Sequence, residues 1–171
     1  AGVACNFRED MESLIETLQE EIPKAFKSED YESRKNEILQ QFQVERSRLI
    51  DEVQQDARER GLAVKSTGSQ VLTVPVMEGR EITPEEFEEL SQEEKEKIEE
   101  QQRDLSTKMQ EVYREIRRIQ QETHETLKEL DQTVALIATG HYLEDMRSRY
   151  SEHPRILEYL EEVQRDLVDN V

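Results

Sequence analysis

The chain has 171 residues, of which 34% are apolar and 37% charged, with five Gly, four Pro and no Trp. So polar a composition excludes a large globular core and favours long helices that each bury a narrow stripe. The 41 acidic residues outnumber the 23 basic ones to give a formal charge of −18, which repels phosphate backbones and anionic bilayers, so neither nucleic acid nor membrane is an expected partner.

Cys5 is the only cysteine, so no intrachain disulfide or multi-cysteine metal site can form. The chain opens on Ala1, carries no basic-then-apolar leader, and lacks an apolar run of about eighteen residues. It reads as cytoplasmic, and as a piece excised from a longer protein.

The first helix candidate is EDMESLIETLQEEIP, where Met11, Leu14, Ile15, Leu18 and Ile22 share one face and Pro23 is expected to end it. Ser28 then caps a longer helix, with Glu29 and Asp30 at its positive end and Gly61 as its stop. Tyr31, Ile38, Phe42, Leu49, Val53 and Ala57 form its stripe, flanked by Leu39 and Ile50. At about 1.5 Å per residue it is roughly 50 Å long. LAVKSTGSQVLTVPVMEGREI has no helical period. Its β-branched residues around the turns STGS and MEGR predict a β-hairpin at about 62–82.

Thr83, Pro84 and Glu86 open a short helix carrying Phe87 and Leu90, and Ser91 with Glu94 repeats the capping signature. A very long helix follows. Ile98, Gln102, Leu105, Met109, Val112, Ile116, Ile119, Thr123, Thr126 and Leu130 alternate by four and three, a coiled-coil seam that drifts at Leu127 and Val134. The last helix offers Ile156, Leu157, Leu160, Val163, Leu167 and Val168 as one face, behind His153 and Pro154.

The expected fold is mainly α: an antiparallel coiled-coil arm (28–130) with a small β-hairpin at its tip, and a short helical bundle (1–27 and 131–171) at its base. The apolar run LDQTVALIATGHYLEDM places Gly140 and His141 where three helices are expected to converge, so both read as structural, with Gly140 admitting a close neighbour.

No glycine loop of the phosphate-binding type occurs, since the glycines stand at 2, 61, 68, 79 and 140. His124, His141 and His153 form no ligand pair. No catalytic, cofactor-binding or metal residue is assigned. On the hairpin, Val71, Leu72, Val74, Val76 and Met77 either cap the long helices or contact a partner or unfolded client.

The chain resembles, over nearly its whole length, the helical domain of Lon-like ATP-dependent proteases of the LonC type. The resemblance is carried by AG with FREDMESLIETL, by IPKAFKSEDYESRKNEI, TPEEFEEL and LDQTVALIATGHYLEDMRSRY, and by ILEYLEEVQRDLVDNV. It implies a parent assembled as a hexameric ring, with an AAA+-type module and a serine peptidase domain using a Ser–Lys dyad, all outside this chain; ATP would belong to the parent. The segment would be non-catalytic, shaping substrate access to the proteolytic chamber and ring assembly. Its partners would be the parent's other domains and unfolded polypeptide clients. The alternative is a free-standing acidic coiled-coil adaptor or chaperone that binds clients through the arm tip.

Overall fold

The structure, a computed structural model, describes residues 2–67 and 70–171. Among them the chain is mainly helical with a small antiparallel sheet: α1 (Gly2–Ala25), α2 (Glu29–Glu59), β1 (Leu62–Thr67), β2 (Gln70–Met77), β3 (Arg80–Glu81), α3 (Pro84–Glu88), α4 (Gln92–Arg149) and α5 (Pro154–Asp169). No helix among the described residues is long and apolar enough to cross a membrane.

Two compact units divide the chain, one of residues 1–40 with 122–171 and the other of residues 41–121. In the first, Leu14 and Leu18 of α1, Leu143, Met146 and Tyr150 of α4, and Leu160 of α5 form a buried cluster, with Phe7, Met11, Ile22, Ile156, Val163 and Leu167 against it. Tyr150 anchors one side. Its hydroxyl donates to Asp10 Oδ2 at 2.6 Å and its ring meets Phe7 edge-on at 5.1 Å between centroids. Arg149 reaches the other oxygen of Asp10 at 2.7 Å. These two partners, the Tyr150 hydrogen bond foremost, hold the Asp10 carboxyl below its ordinary range.

In the second unit, Leu49, Val53 and Ala57 of α2 bury against Leu105 and Val112 of α4, and Leu62 of β1 closes the cluster. This is the spacing by four and three at work: each of these residues falls on the same helical face as the next. The seam changes farther on, in the first unit, where Thr126 is exposed and bonds back to the Glu122 carbonyl while Leu127 and Leu130 are half-buried. A helix turning 3.6 residues per turn drifts off a strict heptad, and here the drift moves burial from Thr126 to Leu127.

Helix starts follow the capping chemistry. Ser28 Oγ accepts from the Tyr31 amide at 3.2 Å. Thr83 and Glu86 form a reciprocal capping box, and Ser91 and Glu94 form another, the Ser91 amide donating to Glu94 at 2.9 Å. Gly61 ends α2 with φ +68, and its carbonyl accepts from the Val76 amide at 2.8 Å.

Three expectations need correction. Pro23 lies inside α1 rather than ending it, and the helix begins at Gly2, earlier than the apolar period suggests. Proline's fixed φ is helical, and its missing N–H releases only the carbonyl of exposed Gln19; the helix closes two residues later in turns from Lys27 to Lys24 and Ser28 to Ala25. The hairpin gains a third strand, β3, paired with the end of β2. Of the STGS turn, Gly68 and Ser69 lie outside the described residues.

The third correction concerns Gly140. A Cβ added there would meet no atom within 4 Å, so no backbone approaches it closely. His141 is exposed, as are Leu136 at 45% and Ile137 at 71%. The buried stripe of this stretch runs instead through Ala135, Thr139, Leu143, Met146 and Tyr150, and α4 joins the three-helix cluster from Tyr142 onward. Thr139, fully buried, satisfies its hydroxyl on the Ala135 carbonyl at 2.8 Å.

Candidate functional site: the sheet of the second unit

β2 runs antiparallel to β1 with Leu62 opposite Pro75, Val64 opposite Thr73 and Ser66 opposite Val71. Residues opposite one another point to the same side, so Leu62 and Val64 share the core side with Pro75 and Thr73, whereas Leu72, Val74 and Val76 share the outer side with Ala63 and Lys65. Leu72 is 50% exposed, Val71 and Met77 are exposed at the strand ends, and Val74 and Val76 are half-buried. All five hairpin residues singled out in the sequence thus belong to one strand, and Leu72, Val74 and Val76 form an apolar row on its outer side.

The turn between β2 and β3 places Glu78 at φ 52 and Gly79 at φ 80. Two successive positive φ values are the requirement of a type I′ hairpin turn, whose twist matches the flanking strands. Beyond it, Arg80 grips Glu86 with two nitrogens, at 2.6 and 3.0 Å, while the Thr83 amide donates to the same carboxylate at 2.8 Å. The Arg80 hydrogen bond, aided by the Thr83 amide, pulls the Glu86 carboxyl down to about 2. One carboxylate therefore ties β3 to the start of α3. Lys65 and Glu81 form a further ion pair on the sheet.

Two side chains tie these elements together, one joining the sheet to α4 and the other joining α2 to α4 just before β1, and sequence pattern had given neither this role. Gln102, a polar residue in the apolar seam, donates from Nε2 to the Thr73 carbonyl at 3.2 Å. Arg60 holds Asp56 at 2.9 Å and reaches Gln101 and Asp104 of α4 at 3.1 and 3.4 Å. A polar residue at a core position is the available sequence signal, but only the fold shows which carbonyl it meets.

A groove of about 390 Å³ runs along β1, lined by Gln54, Arg58, Gly61, Leu62, Ala63, Val64 and Val76. An apolar notch of about 70 Å³ shares Gln54 and Val64 with it and is otherwise lined by Ile50, Val53, Met109, Val112, Tyr113 and Ile116. Neither holds a nucleophile beside a base. Among the described residues no group of three or more His, Cys, Asp and Glu side chains is placed to hold a metal ion. The arrangement offers backbone hydrogen-bonding groups and apolar surface, which is the chemistry of polypeptide binding.

No family model matches the chain. No curated protein matches it either.

Proposed function

We propose that this chain is a non-catalytic helical arm domain of a cytoplasmic Lon-like protease, with α2 and α4 as an antiparallel coiled coil and the sheet at its tip. It governs access of unfolded polypeptide to the proteolytic chamber and contributes to assembly of a hexameric ring. The peptidase dyad and any ATP site belong to other domains of the parent. The observation that carries the reading is the sheet: it is fixed to two long helices through Leu62 and Gln102, yet keeps Leu72, Val74 and Val76 on its outer side. A rigid apolar row with no reactive group is suited to holding a chain, and unsuited to cutting one.

The test replaces residues 63–81 in the parent enzyme by a short Gly-Ser linker and measures cleavage of casein and of a short fluorogenic peptide. Casein degradation is expected to fall severalfold while peptide cleavage by assembled rings stays unchanged. Equal loss of both, or a parental reading frame without a peptidase domain, overturns the reading. In the latter case the partly exposed apolar row favours the acidic adaptor or chaperone.

A further inference from the structure

The second unit of this acid-rich chain has a face without carboxylates, and the apolar notch lined by Ile50, Val64, Met109 and Tyr113 lies on it. Residues three or four apart share a helix face, so Ile50 shares its face with Arg46, Ser47, Val53 and Gln54, and Tyr113 with Met109, Gln110, Ile116 and Arg117. None of these is acidic, although 41 of the 171 residues are. Asp51 and Glu111 stand one and two positions away, off that face. Three other carboxylates of the same turns, Glu45, Glu52 and Glu115, are held by Arg48 and Arg118.

Arg46 and Arg117 differ from those paired arginines. Both are exposed, and neither has an ion-pair partner among the described residues. Each stands one helical turn from a residue that lines the notch, Arg46 from Ile50 and Arg117 from Tyr113. The notch is reachable from solvent: Tyr113 is 46% exposed, Ile50, Val64, Met109 and Ile116 are half-buried, and Val53 and Val112 form its buried floor. Its volume of about 70 Å³ admits one aliphatic side chain.

We propose that this face docks an acidic segment of another protein, with one aliphatic side chain in the notch and the flanking carboxylates on Arg46 and Arg117. Charge complementarity selects the occupant. A guanidinium binds a carboxylate through paired N–H donors, and two of them beside an acid-free notch attract anions within the Debye length of about 10 Å, where the chain's remaining carboxylates are largely screened. A second copy of this chain is a poorer occupant, because it brings a whole folded body of formal charge −18, whereas a short segment brings only the carboxylates that the two arginines can meet. The proposal holds whether or not the parent is a peptidase.

The experiment uses the full chain and, as probe, a fluorescein-labelled peptide of glutamates on both sides of a single leucine, with binding read by fluorescence anisotropy. Saturable binding is expected, weakened about tenfold when alanine replaces the leucine and weakened further by added salt. Arg46→Gln combined with Arg117→Gln should weaken it by about tenfold or more, whereas Arg155→Gln combined with Arg165→Gln, the same loss of charge on α5, should change it by less than about twofold. The NMR methyl signals of Ile50 and Val64 should shift on addition of the peptide. Because the substituted arginines are exposed and unpaired, the variants are expected to keep the wild-type circular dichroism; should they lose it, the wild-type methyl shifts and the alanine peptide still decide. Absence of saturable binding overturns the inference, as does equal weakening by the two arginine pairs, which marks general charge attraction. Self-association of the chain that Arg46→Gln and Arg117→Gln abolish assigns the face to a second copy and overturns it as well.

Discussion

Gly140 sits in the interior of α4 with open space where a Cβ would stand, so its missing methyl serves no contact within the chain. Gly140→Ala is therefore expected to stabilise the protein by about 0.5–1 kcal/mol, the usual helix-propensity difference, while Leu143→Ala costs about 2–5 kcal/mol because Leu143 is fully buried. Denaturant unfolding of the two variants checks both signs; a destabilising Gly140→Ala would restore the close approach that the apolar run suggests. Tyr31 gives a second test. Its hydroxyl donates to Asp131 at 2.8 Å, and burial, with that hydrogen bond, pushes its phenol from 10.0 up to about 12. The folded state thus holds this proton more tightly than the unfolded chain, so the contribution is complete below pH 10 and disappears as pH rises through about 12. Tyr31→Phe should cost on the order of 1 kcal/mol at neutral pH and remove this part of the alkaline decline in unfolding free energy.

At the scale of elements, junction residues do most of the positioning. Glu86 accepts from Arg80 and from the Thr83 amide, and so joins the capping of α3 to the end of the sheet. Its carboxyl, pulled from 4.5 to about 2, stabilises the fold fully above the ordinary value and loses that effect as pH falls toward about 2. An NMR titration of the Glu86 side chain should show the low midpoint, and Glu86→Gln should flatten the acid limb of stability; an unshifted carboxyl would deny the link between β3 and α3. The neighbouring turn carries a cost. Glu78 is a non-glycine residue at φ 52, and Asn tolerates that region better. Glu78→Asn is expected to raise stability by up to about 1 kcal/mol, read from the shift of the unfolding midpoint.

For the molecule as a whole, the two compact units have separate cores; α4 contributes residues to both, whereas α2 contributes only to that of the second unit. Those cores are narrow, as a chain with 37% charged residues requires, and exposed i,i+4 pairs such as Arg48 with Glu52 clothe the rest. Each such pair adds only about 0.3–0.5 kcal/mol, so helix persistence depends on the buried stripes. The sequence has no phosphate loop, and among the described residues the sheet surface holds no nucleophile beside a base. Purified chain is accordingly expected to turn over neither ATP nor unfolded casein. Activity that survives repurification and scales with protein would contradict an arm-domain reading.

Local rules made much of this fold legible in advance. Caps at Ser28, Thr83 and Ser91, the stop at Gly61, and the stripe from Leu49 to Ala57 depend on neighbours a few residues away, which the sequence displays directly. The same holds for the strand carrying Val71, Leu72, Val74, Val76 and Met77: alternation and turn residues specify it locally. Other features depend on where distant segments meet. The sequence could show that residues 134–143 are apolar, but not that Ala135 and Thr139 turn inward while Leu136 and Ile137 face solvent, because a helix with apolar residues all round does not state which side its neighbours take. Nor could it assign Gln102 to the Thr73 carbonyl or set the groove beside β1, since both require the register between a strand and two helices that only tertiary packing imposes.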